Sequence, residues 1–321
     1  MTYSFNLNAS QLIQMSLQMM NIVSLPDAAQ SGDYNFALNV LNMMLKDWET
    51  DNIHLWKRKQ GSLFIQYNQN SYQLGSVSGS DNCSNIYLQT TSTSTAVTTA
   101  TTIIVTNVSG MNVNDNIGIE LDNLTRYWTT ISAINPSTLT ITLTGSLPSQ
   151  ASSGITIITY TNKINRPLEI LRGSLLDLTT QTEIPLEKLT YDQYFNLPIK
   201  TVNFRPVNIY YDKVLNNNLP YSGTLYVYGN PESSKYILNF TYLDAIQDIV
   251  NTTDVLDFPQ EWLLTITTNL AVMLANFGYG KLIEAQSTQQ QAAMLKDKLQ
   301  SFDSDDEYLT LVLQNTNRLI S

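Results

Sequence analysis

The sequence predicts an α+β fold with three parts: a helical bundle formed by both chain ends, a central antiparallel β domain, and a small all-β barrel or sandwich inserted into that domain. Apolar residues recur with a helical period near both ends of the chain and alternate with a period of two between them. The expected domains are 1–51 and 244–300 for the bundle, 52–75 and 161–243 for the β domain, 76–160 for the insertion with its Thr/Ser-rich linker, and 301–321 for an acidic C-terminal tail.

Two helices are predicted before residue 52. Ser10 is a candidate N-cap for the first. In the second, from about Asp33 to Asp51, the apolar arc covers roughly 220°, whereas a surface helix needs about 100°. This helix is therefore either central in its own domain or covered on its second side by a neighbouring subunit. The candidate subunit-interface residues are Phe36, Val40, Met43 and Trp48.

After Ile53 the period of two predicts strands. Leu63 to Tyr67 and Tyr72 to Gly75 are expected to form one hairpin, and Thr224 to Tyr228 and Tyr236 to Tyr242 a second. Between them, five short strands from about 102 to 160, separated by turns at roughly ten-residue spacing, predict the inserted barrel or sandwich. Pro259 marks the start of a C-terminal helix.

Composition excludes several classes of function. Seventeen Lys and Arg against 27 Asp and Glu give a net charge of −10, which argues against sequence-specific nucleic-acid binding. One Cys and one His exclude an internal disulfide and most zinc or triad chemistry, so no cofactor and no metal are expected. The chain lacks a signal-peptide pattern and any apolar run of membrane-spanning length, so we expect it to be made and used in water, with no membrane partner.

Few residues are candidates for chemistry. A catalytic role for His54 would need a positioned partner, and a lone His is usually structural. Cys83 has no basic neighbour and is expected to be inert. The basic cluster Lys57, Arg58 and Lys59 either blunts an exposed strand edge with charge or contacts a phosphate, such as that of DNA, or an acidic partner.

Several short segments, in the same order along the chain, carry a family resemblance. Residues 37–49, 55–58, 63–65 and 72–75 resemble the opening of the head-to-tail adaptor proteins of short-tailed bacteriophages. Residues 165–171, 194–198, 223–228 and 257–262 resemble the rest of that pattern in the same order. The match covers about 1–75 and 163–300. The Thr-rich unit at 76–160 is similar to an insertion in some relatives, and its role is not implied by the family.

The resemblance implies a non-enzymatic structural virion protein. Adaptors of this family form a ring of twelve copies beneath the portal protein, join it to the tail tube or nozzle protein, and line the channel for genome passage. The implied location is the head-tail junction at the portal vertex of the virion, after assembly in the host cytoplasm. The negative charge of the chain predicts that genomic DNA passes without specific binding, with the acidity either on the channel wall or on the outer surface.

The C-terminal tail departs from the family pattern. It opens with an acidic run and then carries apolar anchors, so we expect it to become ordered on a partner, either the portal or the tail. The candidate portal or tail contacts are Leu309, Leu311, Leu313 and Leu319.

Two other classes of function are compatible with the sequence. In a carbohydrate-binding or adhesin-like tail protein, the inserted β domain would present aromatic side chains as a platform for sugar, and an exposed aromatic trio on one face of the barrel would favour this alternative. A hydrolase would need a catalytic constellation that the sequence does not show.

Overall fold

A computed structural model of the chain describes residues 5–25, 27–49, 57–214, 222–280 and 282–302. It contains both helices and sheets, which confirms the α+β class, and the sheets dominate it. Two compact units are present: 1–56 together with 246–321, and 57–245. The described helices are α1 (Ala9–Met19), α2 (Ser31–Trp48), α3 (Tyr191–Phe195), α4 (Leu263–Leu274) and α5 (Leu282–Phe302).

The first unit is helical. Asn8, rather than Ser10, caps α1: its side-chain oxygen accepts a hydrogen bond from the backbone N–H of Gln11 at 2.9 Å, and the Gln11 side chain caps the backbone N–H of Asn8. Ser10 lies inside the helix, and its hydroxyl donates to the Asn8 side chain. The first helix therefore begins one residue before Ser10.

Side chains of α1, α2 and α4 form one hydrophobic core in this unit, together with Leu299 of α5. Leu45 of α2 and Trp262, in the turn before α4, belong to the same cluster. The indole rings of Trp48 and Trp262 lie 6.1 Å apart. Residues from both ends of the chain thus share one core.

The second unit contains fourteen strands among its described residues. They are β1 (Arg58–Phe64), β2 (Ser71–Leu74), β3 (Cys83–Ser84), β4 (Leu88–Thr91), β5 (Thr102–Ile104), β6 (Asn116–Glu120), β7 (Arg126–Asn135), β8 (Thr140–Leu143), β9 (Thr156–Tyr160), β10 (Glu169–Asp177), β11 (Thr182–Lys188), β12 (Asn208–Asp212), β13 (Gly223–Tyr228) and β14 (Tyr236–Leu243). Eight form one sheet, in the order β2-β13-β12-β11-β10-β14-β1-β3, and six form another.

Both hairpin predictions are wrong. β1 pairs with β14 and not with β2, while β13 pairs with β2 and β12 and not with β14. The two connecting turns bind one another instead: the Asn68 N–H donates to the Pro231 carbonyl at 2.8 Å, and the Asn230 amide donates to the Asn68 side chain at 3.1 Å. Each turn therefore connects two strands that are not neighbours in the sheet.

The six-stranded sheet closes into a barrel. Its strand order is β4-β9-β6-β7-β8-β5, and a bridge between Ser92 and Val105 joins the two outer strands. Backbone hydrogen bonds from Thr93 to Ile104 and from Thr106 to Thr91, both 2.9 Å, continue this closure. Alternating Ile and Leu side chains fill the interior. The region from 88 to 160 thus has its own core, and its first strand comes from the Thr/Ser-rich stretch.

Candidate interaction surfaces

The structure separates the candidate interface residues of α2 into two pairs. Val40 and Trp48 are 1% and 4% exposed and lie in the core of the helical unit, so the chain itself covers them. Phe36 and Met43, which lie four and three positions from Val40, are 39% and 59% exposed at the edge of the buried face of the helix. Val40 and Trp48 are therefore apolar because they belong to the core of their own unit. Phe36 and Met43 remain as candidates for a subunit contact.

Phe36 is held by the turn that follows α4. Its ring lies edge-on to Tyr279, with centroids 6.1 Å apart, and a Cβ at Gly278 would lie 2.5 Å from the ring. The Tyr279 hydroxyl donates to Asp33 of α2 at 2.7 Å. Phe277, immediately before Gly278, is exposed. Phe36 is thus fixed in place while part of its ring still faces solvent.

The helical unit has further exposed apolar side chains that sequence reasoning missed. Met15 and Met19 lie one turn apart on α1, Leu264 lies on α4, and Met294 lies on α5. Sequence reasoning counted such side chains as part of the apolar faces of these helices and did not separate them from the buried ones.

Lys57, Arg58 and Lys59 do not form a basic patch. Lys57 is buried, 2% exposed, and its carbonyl accepts a hydrogen bond from the Asp244 N–H. The Lys59 ammonium forms an ion pair with Asp244 at 2.7 Å. Arg58 is exposed at the start of β1. The Lys59 charge is therefore compensated within the chain.

The structure describes Cys83, but it does not describe His54 or the candidate tail contacts. Burial raises the pKa of the Cys83 thiol well above its ordinary value, and the nearby Asp81 carboxylate raises it further, so this thiol stays protonated at neutral pH. His54 and the tail residues Leu309, Leu311, Leu313 and Leu319 lie outside the described residues. Within the described part of the chain, no group of three or more His, Cys, Asp or Glu side chains could hold a metal ion.

The barrel does not present the aromatic trio that a sugar platform would need. Residues 88–160, all described, contain three aromatic side chains, and none is exposed: Tyr160 is buried, and Tyr127 and Trp128 are half-buried. Trp128 and Tyr160 pack on Phe64 of β1, with ring centroids 5.3 and 5.6 Å from it. These two aromatic residues hold the barrel against the eight-stranded sheet.

A second aromatic cluster lies around α3. Tyr194 stacks on Tyr210 at 5.6 Å and lies 5.2 Å from Tyr226, and the Lys200 ammonium lies 5.5 Å from the Tyr194 ring centre. Burial raises the pKa of Tyr194 to about 12, so its hydroxyl stays neutral at ordinary pH. This cluster packs α3 onto the sheet.

A polar groove lies beside the barrel on the eight-stranded sheet. It has a volume of about 700 Å³ and is lined by side chains of β1, β10, β11 and β14 and of the segment that leads into the barrel. Ser62 donates to Asn239 at 2.8 Å, Asn239 donates to Glu183 at 3.2 Å, and Arg172 donates from Nε to Thr241 at 3.2 Å. Sequence reasoning missed this groove, because its residues come from strands far apart in the chain.

Comparisons with known proteins give limited information. No protein-family model and no curated protein matches the sequence. Among solved structures, the chain is similar to VP17, a capsid protein of bacteriophage P23-77, with 13% identity over 58% of this chain and 80% of that chain and a TM-score of 0.12. It is also similar to the VP16-VP17 complex of the two major capsid proteins of that phage, with 12% identity over 58% and 82% and a TM-score of 0.12. Likenesses at this TM-score carry no argument about function.

No helix among the described residues has the length and apolar character needed to cross a membrane.

Proposed function

We infer that this chain is a non-enzymatic structural protein of a bacteriophage virion, and specifically a ring-forming head-to-tail adaptor. In this role it joins the portal to the tail tube and lines the channel through which the genome passes. The order of the sequence segments that resemble the adaptor family supports this assignment. The copy number of twelve rests on that resemblance alone.

The structural observation that carries the proposal is the exposed apolar side of α2. Phe36 and Met43 lie seven positions apart on one side of the helix, and Phe277 follows α4 next to the Gly278 that contacts Phe36. Full burial of a Phe or Met side chain contributes about 1.5–3 kcal/mol, and a ring repeats that contribution at every subunit contact. Association between copies would therefore bury these exposed apolar side chains at every subunit contact.

The assembly of substituted chains tests the proposal. Phe36→Asp and Met43→Asp place a charge where a partner would exclude water, so we expect each to prevent ring formation on the portal protein of the same phage while the chain still folds. Asn35→Asp, which puts the same charge on an exposed position of the same helix, is the matched control. Native mass spectrometry of portal complexes measures the number of copies bound.

The control variant should bind in the same number as the unchanged chain. If the unchanged chain stays monomeric with the portal, the adaptor function is wrong. If both Asp variants at Phe36 and Met43 assemble normally, α2 does not form the contact.

A further inference from the structure

We propose that the polar groove on the eight-stranded sheet binds a neutral saccharide. The groove lies on one face of strands β1, β10 and β14, and the neighbouring part of that face is covered by the barrel. Phe64, Ile237 and Leu176 lie side by side on β1, β14 and β10, and barrel residues pack on this apolar row. The next rows toward the open end are polar: Ser62, Asn239 and Ser174, then Gln60, Thr241 and Arg172.

The change from apolar to polar occurs within one face of the same three strands. Alternation places every second residue on this face, so the rows are set by the register between the strands. The groove lies between these strands and the segment at Asn85 and Tyr87, which leads into the barrel. Its volume is within the range of small-molecule sites.

The lining offers both kinds of hydrogen-bonding partner that sugar hydroxyls require. Hydrogen bonds from Ser174 and Asn239 lower the pKa of the Glu183 carboxyl, so it is ionised at neutral pH and can accept from hydroxyls. Arg172 uses Nε on Thr241, and its terminal nitrogens supply donors. Gln60 and Asn239 add amides, which both donate and accept.

An aromatic side chain borders the groove. Tyr87 is half-buried, and its ring lies edge-on to Phe64, with centroids 5.3 Å apart, which fixes its orientation. A sugar ring has an apolar face of C–H groups, and such faces pack on fixed aromatic rings. The Tyr87 ring and the polar rows therefore provide the two contacts that a pyranose needs.

Other classes of ligand fit this lining less well. A nucleic acid requires an excess of positive charge, whereas the groove has one cation, Arg172, and one carboxylate, Glu183. A peptide could add as a strand only at a free edge, and both β10 and β14 are paired on their two sides. An apolar ligand would displace water from Arg172, Glu183 and Asn239 without replacing its hydrogen bonds.

This inference does not depend on the adaptor function, since the groove lies in the β unit and the proposed subunit contact lies on α2. It also differs from a sugar platform on the barrel, because no residue from 88 to 160 lines the groove. The two proposals can therefore fail separately.

Saturation-transfer-difference NMR on the full-length chain tests the proposal, with maltoheptaose, chitotetraose and mannotetraose as probes. We expect saturation transfer to at least one of the three. Glu183→Gln removes the charged acceptor, and Thr241→Val removes the hydroxyl that positions Arg172. Each should weaken binding of that probe about tenfold, which is the effect of losing one charge-assisted hydrogen bond.

Glu187→Gln is the matched control, because Glu187 lies on the same strand as Glu183, is exposed and does not line the groove. It should bind the probe as the unchanged chain does. Thermal unfolding of each variant checks that the fold is retained, and Thr241→Val provides the test if Glu183→Gln does not fold.

The proposal is overturned if none of the probes shows transfer, or if both groove variants bind as the unchanged chain does. Normal ring assembly of the groove variants would separate this result from the adaptor function.

Discussion

Two apolar surfaces of the molecule differ in whether the chain itself covers them. On the eight-stranded sheet, Phe64 and Ile237 are covered by Ile158 and Tyr160 of the barrel, which belongs to the same chain. On α2, Phe36 and Met43 remain exposed among the described residues. The chain thus covers its own apolar surface where the inserted barrel meets the sheet, whereas part of the apolar surface of α2 stays exposed. We therefore propose that association between copies involves this side of α2.

The largest difference is expected between a buried and an exposed residue of α2. Val40→Asp puts a charge into the core of the helical unit and should cost about 5 kcal/mol of unfolding free energy, enough to unfold that unit. Met43→Asp lies on the exposed side and should change the unfolding free energy by less than about 0.5 kcal/mol. Urea unfolding followed by circular dichroism measures both. Similar losses in the two variants would contradict the separation of α2 into a buried and an exposed side.

The covered row of the sheet should respond next most strongly. Phe64→Ala removes a buried ring that contacts Tyr87, Trp128 and Tyr160, and large-to-small changes of this kind cost about 3–5 kcal/mol. Tyr67→Ala, on the exposed segment that follows β1, is the control and should cost less than about 0.5 kcal/mol. Differential scanning calorimetry of the full chain measures the difference. An equal effect of both variants would mean that the barrel is not held by this aromatic contact.

A smaller effect is expected from the tyrosine that supports Phe36. Burial and the hydrogen bond to Asp33 raise the pKa of Tyr279 to about 12, above the value of about 10 for an unfolded tyrosine. Between these pH values the folded chain keeps a proton that the unfolded chain loses, so stability falls as the pH rises through this range.

Tyr279→Phe isolates this contribution. The variant should be about 1 kcal/mol less stable than the unchanged chain near pH 8, because it lacks the hydrogen bond to Asp33. The difference should shrink near pH 11, since only the unchanged chain is then destabilised by ionisation of this group. Urea titrations at the two pH values measure it. If the difference in stability between the two chains is the same at both pH values, the pKa of Tyr279 is not raised in the folded chain.

The sequence predicted the α+β class, because helical and alternating periods leave a direct trace in the chain. It did not predict the strand pairing. The turns at Asn68 and Asn230 have the residue types of hairpin turns, but the hydrogen bonds that they make with one another are visible only in three dimensions. Local turn chemistry therefore predicted hairpins where the fold has short connections between strands that are not neighbours in the sheet.

The candidate sites show the same limit. The width of the apolar arc on α2 did not distinguish Val40, which is buried, from Met43, which is exposed. The polar groove depends on contacts such as that between Ser62 and Asn239, which are 177 positions apart. No pattern along the sequence connects two such residues.

Electron cryomicroscopy of the intact particle would show whether the chain is a virion subunit that assembles through the exposed side of α2. We expect a ring of copies of this chain between the portal and the tail, with Phe36 and Met43 buried at the contact between neighbouring copies. A ring in which these side chains face solvent, or particles that contain this chain only in the capsid shell or not at all, would contradict it.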